Sequence, residues 1–228
     1  DPISLSQYLE KMPDIQKEIY YISAETSAQA LASPHLEGFK SKNIPVLIMT
    51  DAIDQFWLPM VGSFKEKKFT SITQGKINLD ELDSKNKDKK NKSNNDKDKQ
   101  DKEYVDLIAQ LKVVLGDQVK DIRLSSKLTD SPVCLVADEG DMDIAMEQLM
   151  AQRDSNYKGA PRILEINGDH SLIKNMKSLL SKKESNDLVS DAGTLLFEQA
   201  RLMEGKMPAD PAQFSKIMNQ FLLKAIPN

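Results

Sequence analysis

Apolar and polar positions follow two rhythms along this chain, one of short continuous runs and one of helical stripes. The runs IYYIS (19–23) and IPVLIMT (44–50) have strand composition. Between them, ETSAQALASPHLEGFKSK has helical content, and Pro34 predicts two helical pieces joined at Ser33. Strand, helix and strand in that order predict a βαβ unit with parallel strands and a right-handed crossover. DAIDQFWLPM adds a short helix that should end near Pro59, and FTSI adds a weaker third strand.

The rhythm then stops. From Ser84 to Glu103 every residue is Ser, Lys, Asn, Asp, Gln or Glu. Such a tract cannot offset its ordering entropy by burial, so it reads as a linker or mobile insertion. It divides the chain into a small α/β segment at 1–83, a flexible charged linker at 84–103 and an α+β domain at 104–228. In that last part YVDLIAQLKVVLG places Val105, Ile108, Leu111 and Leu115 at helical spacing, with Gly116 as a C-cap. DIRLSS, SPVCLVA and RILEI read as strands, a methionine-rich helix falls between the second and third, and DLVSDAGTLLFEQARLME and DPAQFSKIMNQFLLKAI close the chain as two helices. The expected fold class is thus α/β followed by α+β, ending in a helical bundle.

Three stripes need a covering. In GDMDIAMEQLMAQR (140–153), Met142, Met146, Leu149 and Met150 recur at i, i+4, i+7 and i+8. Spacing alone favours a buried core face, although flexible methionine also suits a surface that accepts varied apolar partners. In DQFWLPM, Phe56, the only tryptophan Trp57, Leu58 and Met60 are too closely spaced to face inward together, so either a core role or a partly exposed contact surface fits. That makes one candidate patch in each domain. At the chain end, Phe214, Ile217, Met218, Phe221 and Leu222 form one stripe, and Leu188, Ala192, Leu195, Leu196 and Gln199 form another. Both could fold onto their own domain as a monomeric core. A four-helix bundle with a symmetry mate would cover them better than one helix pair can.

Composition narrows the chemistry. The 228 residues are 39% hydrophobic and 29% charged, with a net charge of only −4. This gives no general drive toward nucleic acid or an anionic membrane. Neither a membrane-length apolar run nor a signal peptide is present, so the cytoplasm is the expected location. The chain starts Asp1-Pro2 rather than with methionine, which suggests a piece of a longer protein. The single Cys134 lies in the apolar run PVCLV and reads as a buried structural thiol. His35 reads as the start of a helical turn. His170 follows Asp169, which is placed to cap the next helix. The sequence has neither metal-ligand spacing nor a glycine-rich phosphate loop. A small-molecule enzyme domain using the C-terminal edge of the βαβ sheet, with Asp51 and Asp54, is the alternative of a different class.

The segment EIYYISAETSAQALASPHLEGFKSKNIPVLIMTDAIDQF (18–56) resembles the later middle domain of the ninety-kilodalton heat-shock chaperone family in its bacterial form. VKDIRLSSKLTDSPVCLV (119–136) and ILEINGDHSL (163–172) resemble that family's C-terminal dimerisation domain, in the same order. Gly168 stands where the family usually has proline, and the 84–103 tract is richer in lysine and asparagine than the family's helical connection. The resemblance implies an ATP-dependent chaperone for a longer parent. ATP and magnesium would be bound in an N-terminal domain outside this chain, and the fragment itself would hold no cofactor or metal and not act as an enzyme. It also implies that Phe56, with Trp57 and Met60 beside it, and Met142, Met146, Leu149 and Met150 contact non-native client proteins. Pro59 departs from a polar position of the family's site. The two last helices, through Leu188, Ala192, Leu195, Leu196, Phe214, Ile217, Met218, Phe221 and Leu222, would form a homodimer.

Overall fold

A computed structural model of the chain describes residues 2–75, 77–79, 90–154, 157, 159–181 and 186–226, with backbone alone for 90–101 and 181. It is a mixed α/β fold with two small sheets and a helical C-terminal region. Two compact units are present. The first comprises 1–94, 126–130 and 136–160; the second comprises 95–125, 131–135 and 161–228. The expected boundaries at 83 and 104 therefore give way to an interleaved division, in which two stretches beyond the polar tract complete the first unit.

The first unit is built on a four-stranded sheet ordered β2-β1-β4-β3. Strand β1 (Ile19–Ser23) pairs in parallel with β2 (Leu47–Met49) and with β4 (Lys67–Ser71). The predicted βαβ unit is thus present, and its connection is broken where the sequence places the break. Helix α2 (Ser27–Leu31) ends, Ser33 caps a single 3-10 turn at Pro34–Leu36, and α3 (Glu37–Ser41) follows. Two elements went unpredicted. Helix α1 (Leu5–Lys11) starts in a reciprocal capping box between Ser4 and Gln7. Strand β3 (Ser63–Phe64) joins β4 through a two-residue turn at Lys65 and Glu66, both at positive φ. Helix α4 (Asp54–Val61) runs past Pro59 and stops at Gly62, φ +69°, rather than ending near the proline.

The two added stretches are tied in by specific bonds. The Glu37 carboxylate accepts from the amides of Thr129 and Asp130, each at 2.8 Å. The fully buried Lys127 donates its ammonium to the Ile72 carbonyl at 3.0 Å. A Cβ on Gly38 would lie 2.5 Å from the Lys127 carbonyl oxygen, so only glycine lets this segment approach α3 so closely.

Helix α5 runs from Lys90 to Leu115 and belongs to the second unit from Asn95 onward. The expected linker is therefore helical backbone from Lys90 onward, while 84–89 lie outside the described residues. The buried stripe of α5 is Tyr104, Leu107, Leu111 and Leu115; Val105 is exposed and Ile108 half-buried, one step round from the predicted face. Strands β5 (Val119–Leu124), β6 (Val133–Val136) and β7 (Arg162–Ile166) form a sheet ordered β5-β7-β6, with β5 and β7 parallel. Helices α7 (Ser171–Ser181), α8 (Asn186–Met203) and α9 (Pro211–Ala225) follow. One apolar core joins α5, the sheet, α7 and α8. Helix α8 packs close: a Cβ on Gly193 would sit 2.4 Å from a Leu111 methyl.

Candidate functional site

Helix α4 turns one face inward and leaves the other bare. Leu58 is fully buried, and Trp57 is half-buried, edge-on to Phe69 at 5.7 Å between ring centroids. The Trp57 indole N–H donates to Asp54 Oδ1 at 2.7 Å, which fixes the ring. Phe56 is half-buried, whereas Met60 is 86% exposed, with Ile53 and Val61 also exposed. The patch is thus wider than Phe56, Trp57 and Met60. Ile53 lies inside the stretch DAIDQFWLPM but outside the quartet Phe56, Trp57, Leu58 and Met60 that the sequence singles out, and Val61 lies beyond the expected helix end near Pro59.

The methionine-rich helix α6 (Ile144–Arg153) starts at the cap Asp143, so Met142 lies before it rather than on its stripe. Met142 is 40% exposed, Met146, Leu149 and Met150 are half-buried, and the buried residues are Ile144 and Glu147. A half-buried methionine face is neither the sealed core that spacing favours nor a bare surface. Both α4 and α6 belong to the first unit, which corrects the expectation of one patch per domain.

The two closing helices divide sharply. On α8, Ala192 and Leu196 are buried in the core of their own unit beside Val189, Phe197 and Ala200, while Leu188 and Leu195 are half-buried. The α9 stripe splits in two. Ile217 is buried and Phe214 and Phe221 half-buried, with Phe221 against the core; Met218 and Leu222 are exposed, joined by Leu223 and Ile226. The sequence reading grouped all five α9 positions on one stripe. A face at i, i+3, i+4, i+7 and i+8 is wide enough for one edge to pack inward while the other faces out.

The remaining polar candidates have structural partners. Asp54, proposed for the enzyme alternative, accepts from Trp57 with one oxygen and from the Asp51 amide with the other. Cys134 is buried, its sulfur 3.9 Å from a Glu165 oxygen. Glu165 in turn accepts from the half-buried Arg123 and Ser125. His170 Nδ1 accepts from the Leu172 amide at 3.1 Å, so the histidine takes the helix-start role assigned to Asp169, which pairs with Lys174 instead. Among the described residues, no group of three or more His, Cys, Asp and Glu is placed to hold a metal ion. No helix among them is long and apolar enough to cross a membrane.

The family model for Hsp90 protein matches residues 1–227. The chain belongs to the Hsp90 family. Similar curated proteins include the chaperone protein HtpG of Roseobacter denitrificans, 39% identical over 228 residues that cover 99% of this chain and 36% of the relative. The HtpG of Wolbachia pipientis wMel is 37% identical, over 97% of this chain and 34% of its own length. That of Streptomyces coelicolor is 35% identical, over 96% and 33%. The chain spans about a third of the length of these Hsp90 relatives. Membership covers both units, including the interleaved stretches.

Proposed function

We propose that this chain is the part of an ATP-dependent Hsp90 chaperone that grips non-native proteins and joins two copies into a homodimer. The observation that carries this is uncovered apolar surface on ordered helices: Ile53, Met60 and Val61 on and beside α4, and Met218, Leu222, Leu223 and Ile226 at the chain end. Solvent-facing apolar groups in clusters mark binding surfaces more often than isolated ones do. The α4 patch, with Phe56 and Trp57 at its margin, takes extended apolar segments of unfolded clients. The methionine face of α6 adds adaptable contacts, since thioether side chains repack around varied partners. The α9 face meets a second copy.

Nucleotide chemistry belongs to other segments of the parent chain, so this one neither binds nor hydrolyses ATP; its work is mechanical, and its setting is the cytoplasm. The test is suppression of thermal aggregation of a client enzyme by the chain. Met60→Ser with Val61→Ser should weaken suppression while leaving the melting temperature within a degree or two, because exposed substitutions shift stability by at most about 0.5 kcal/mol. Unchanged suppression by that variant would remove α4 from the client surface.

A further inference from the structure

The start of α6 is fastened to the sheet of the first unit through one carboxylate. Asp143 Oδ1 accepts from the Ala145 amide at 2.9 Å and so caps the helix. Its other oxygen accepts from two buried hydroxyls, those of Ser71 at the end of β4 and of Thr73, the latter at 2.9 Å. Just upstream the chain is stitched to the same place: Gly75 donates to the Ala137 carbonyl at 2.8 Å, and the Ala137 amide to the Thr73 carbonyl at 2.9 Å. Beyond this point α6 has little apolar anchorage. Ile144 is its one buried apolar residue, and its buried Glu147 accepts from the Ala160 amide of the loop that follows at 3.3 Å. Gln152 reaches Glu25 in an exposed contact at 3.1 Å. Glycines at positive φ, Gly140 and Gly159, flank the helix.

We propose that Asp143 is a latch: closed, it holds α6 against the end of β4, and open, it lets the helix swing on Gly140 and Gly159 and bare Met146, Leu149 and Met150 to an apolar client segment. The last step rests on the client-binding reading given above. The chemistry suits a reversible closure. Hydrogen bonds to an ionised acceptor are among the strong ones, so the closed state is favoured. Opening leaves the hydroxyls a partner in each other, because Ser71 Oγ and Thr73 Oγ1 already lie 2.9 Å apart and one can donate to the other, while the carboxylate regains water. Tyr21, pushed up to about 12 by its burial and then by the Asp143 charge, stays neutral and offers no competing anion.

Two variants of the full chain separate the latch from the cap. Ser71→Ala with Thr73→Val removes both hydroxyls and leaves Asp143 to cap α6. Asp143→Ser keeps a capping oxygen on a side chain too short to reach them. In each, amide hydrogen exchange across 144–153 should quicken about tenfold or more, the scale of one lost charged hydrogen bond. Peroxide should oxidise Met146 and Met150 correspondingly faster, with exchange in β1 and β4 unchanged. Unaltered exchange in α6 would overturn the latch, and so would acceleration spread equally over the sheet. Binding of carboxymethylated, permanently unfolded lactalbumin should rise in both variants. Faster α6 exchange without tighter lactalbumin binding would support the latch and overturn the client role of this methionine face, so the two readings fail separately.

Discussion

Helices α8 and α9 carry nearly the same periodic pattern and meet different fates. On α8 the apolar positions close against α5 and the sheet, with Val189, Ala192, Leu196, Phe197 and Ala200 all in one core. On α9 Ile217 alone is buried, and Leu223 is 76% exposed. The difference teaches that a stripe records only that something covers it. Helix α8 has its cover within the unit, close enough that a Cβ on Gly193 would lie 2.4 Å from a Leu111 methyl. Helix α9 leaves Met218, Leu222, Leu223 and Ile226 bare, and in the proposed homodimer a second copy of the chain would cover them by an isologous contact.

Substitutions can break that contrast. The largest effect belongs to the α8 core: Leu196→Ala should cost about 2–5 kcal/mol in urea unfolding, as large-to-small core changes do. Leu223→Ala on α9, in dilute protein, should change the same measurement by less than about 0.5 kcal/mol. Next comes Gly193→Ala, whose methyl meets the Leu111 side chain and should destabilise by about 1–3 kcal/mol, an overpacking cost. A silent Gly193→Ala would mean that the Leu111 methyl turns aside at little cost. The smallest stability effect is at Met60, where serine should shift unfolding by less than about 0.5 kcal/mol and yet reduce aggregation suppression. A large stability loss there would place Met60 in a core and out of the client surface.

How much could be read from the chain depended on range. Local signals worked: IYYIS and RILEI are β1 and β7 to the residue, and Pro34 split the crossover where expected. Gly62, a left-handed residue at a helix end, marked the stop of α4 better than Pro59 did. Positions whose partners lie far along the chain were not legible. Nothing in SKLTD or in the methionine-rich stretch announces that these segments complete the first unit, since Lys127 finds Ile72 and Asp143 finds Ser71 and Thr73 only in the fold. The start of α5 was missed for a different reason. Lys, Asn and Asp give no hydrophobic period, so a solvated helix and a linker look alike in sequence. The site was half legible. The candidate residues were found by stripe and by family resemblance, but which of them are bare was set by the neighbours each helix packs against.

The most direct test of the account is the mass of the chain in solution and its dependence on the bare edge of α9. Sedimentation equilibrium at micromolar concentration should give twice the 25.6 kDa chain mass. Leu222→Asp with Leu223→Asp alters only exposed positions, so it should yield a folded monomer with an unchanged circular dichroism spectrum. A wild-type chain that remains at one chain mass, or a double variant that remains at two, would contradict the pairing of α9 across a homodimer.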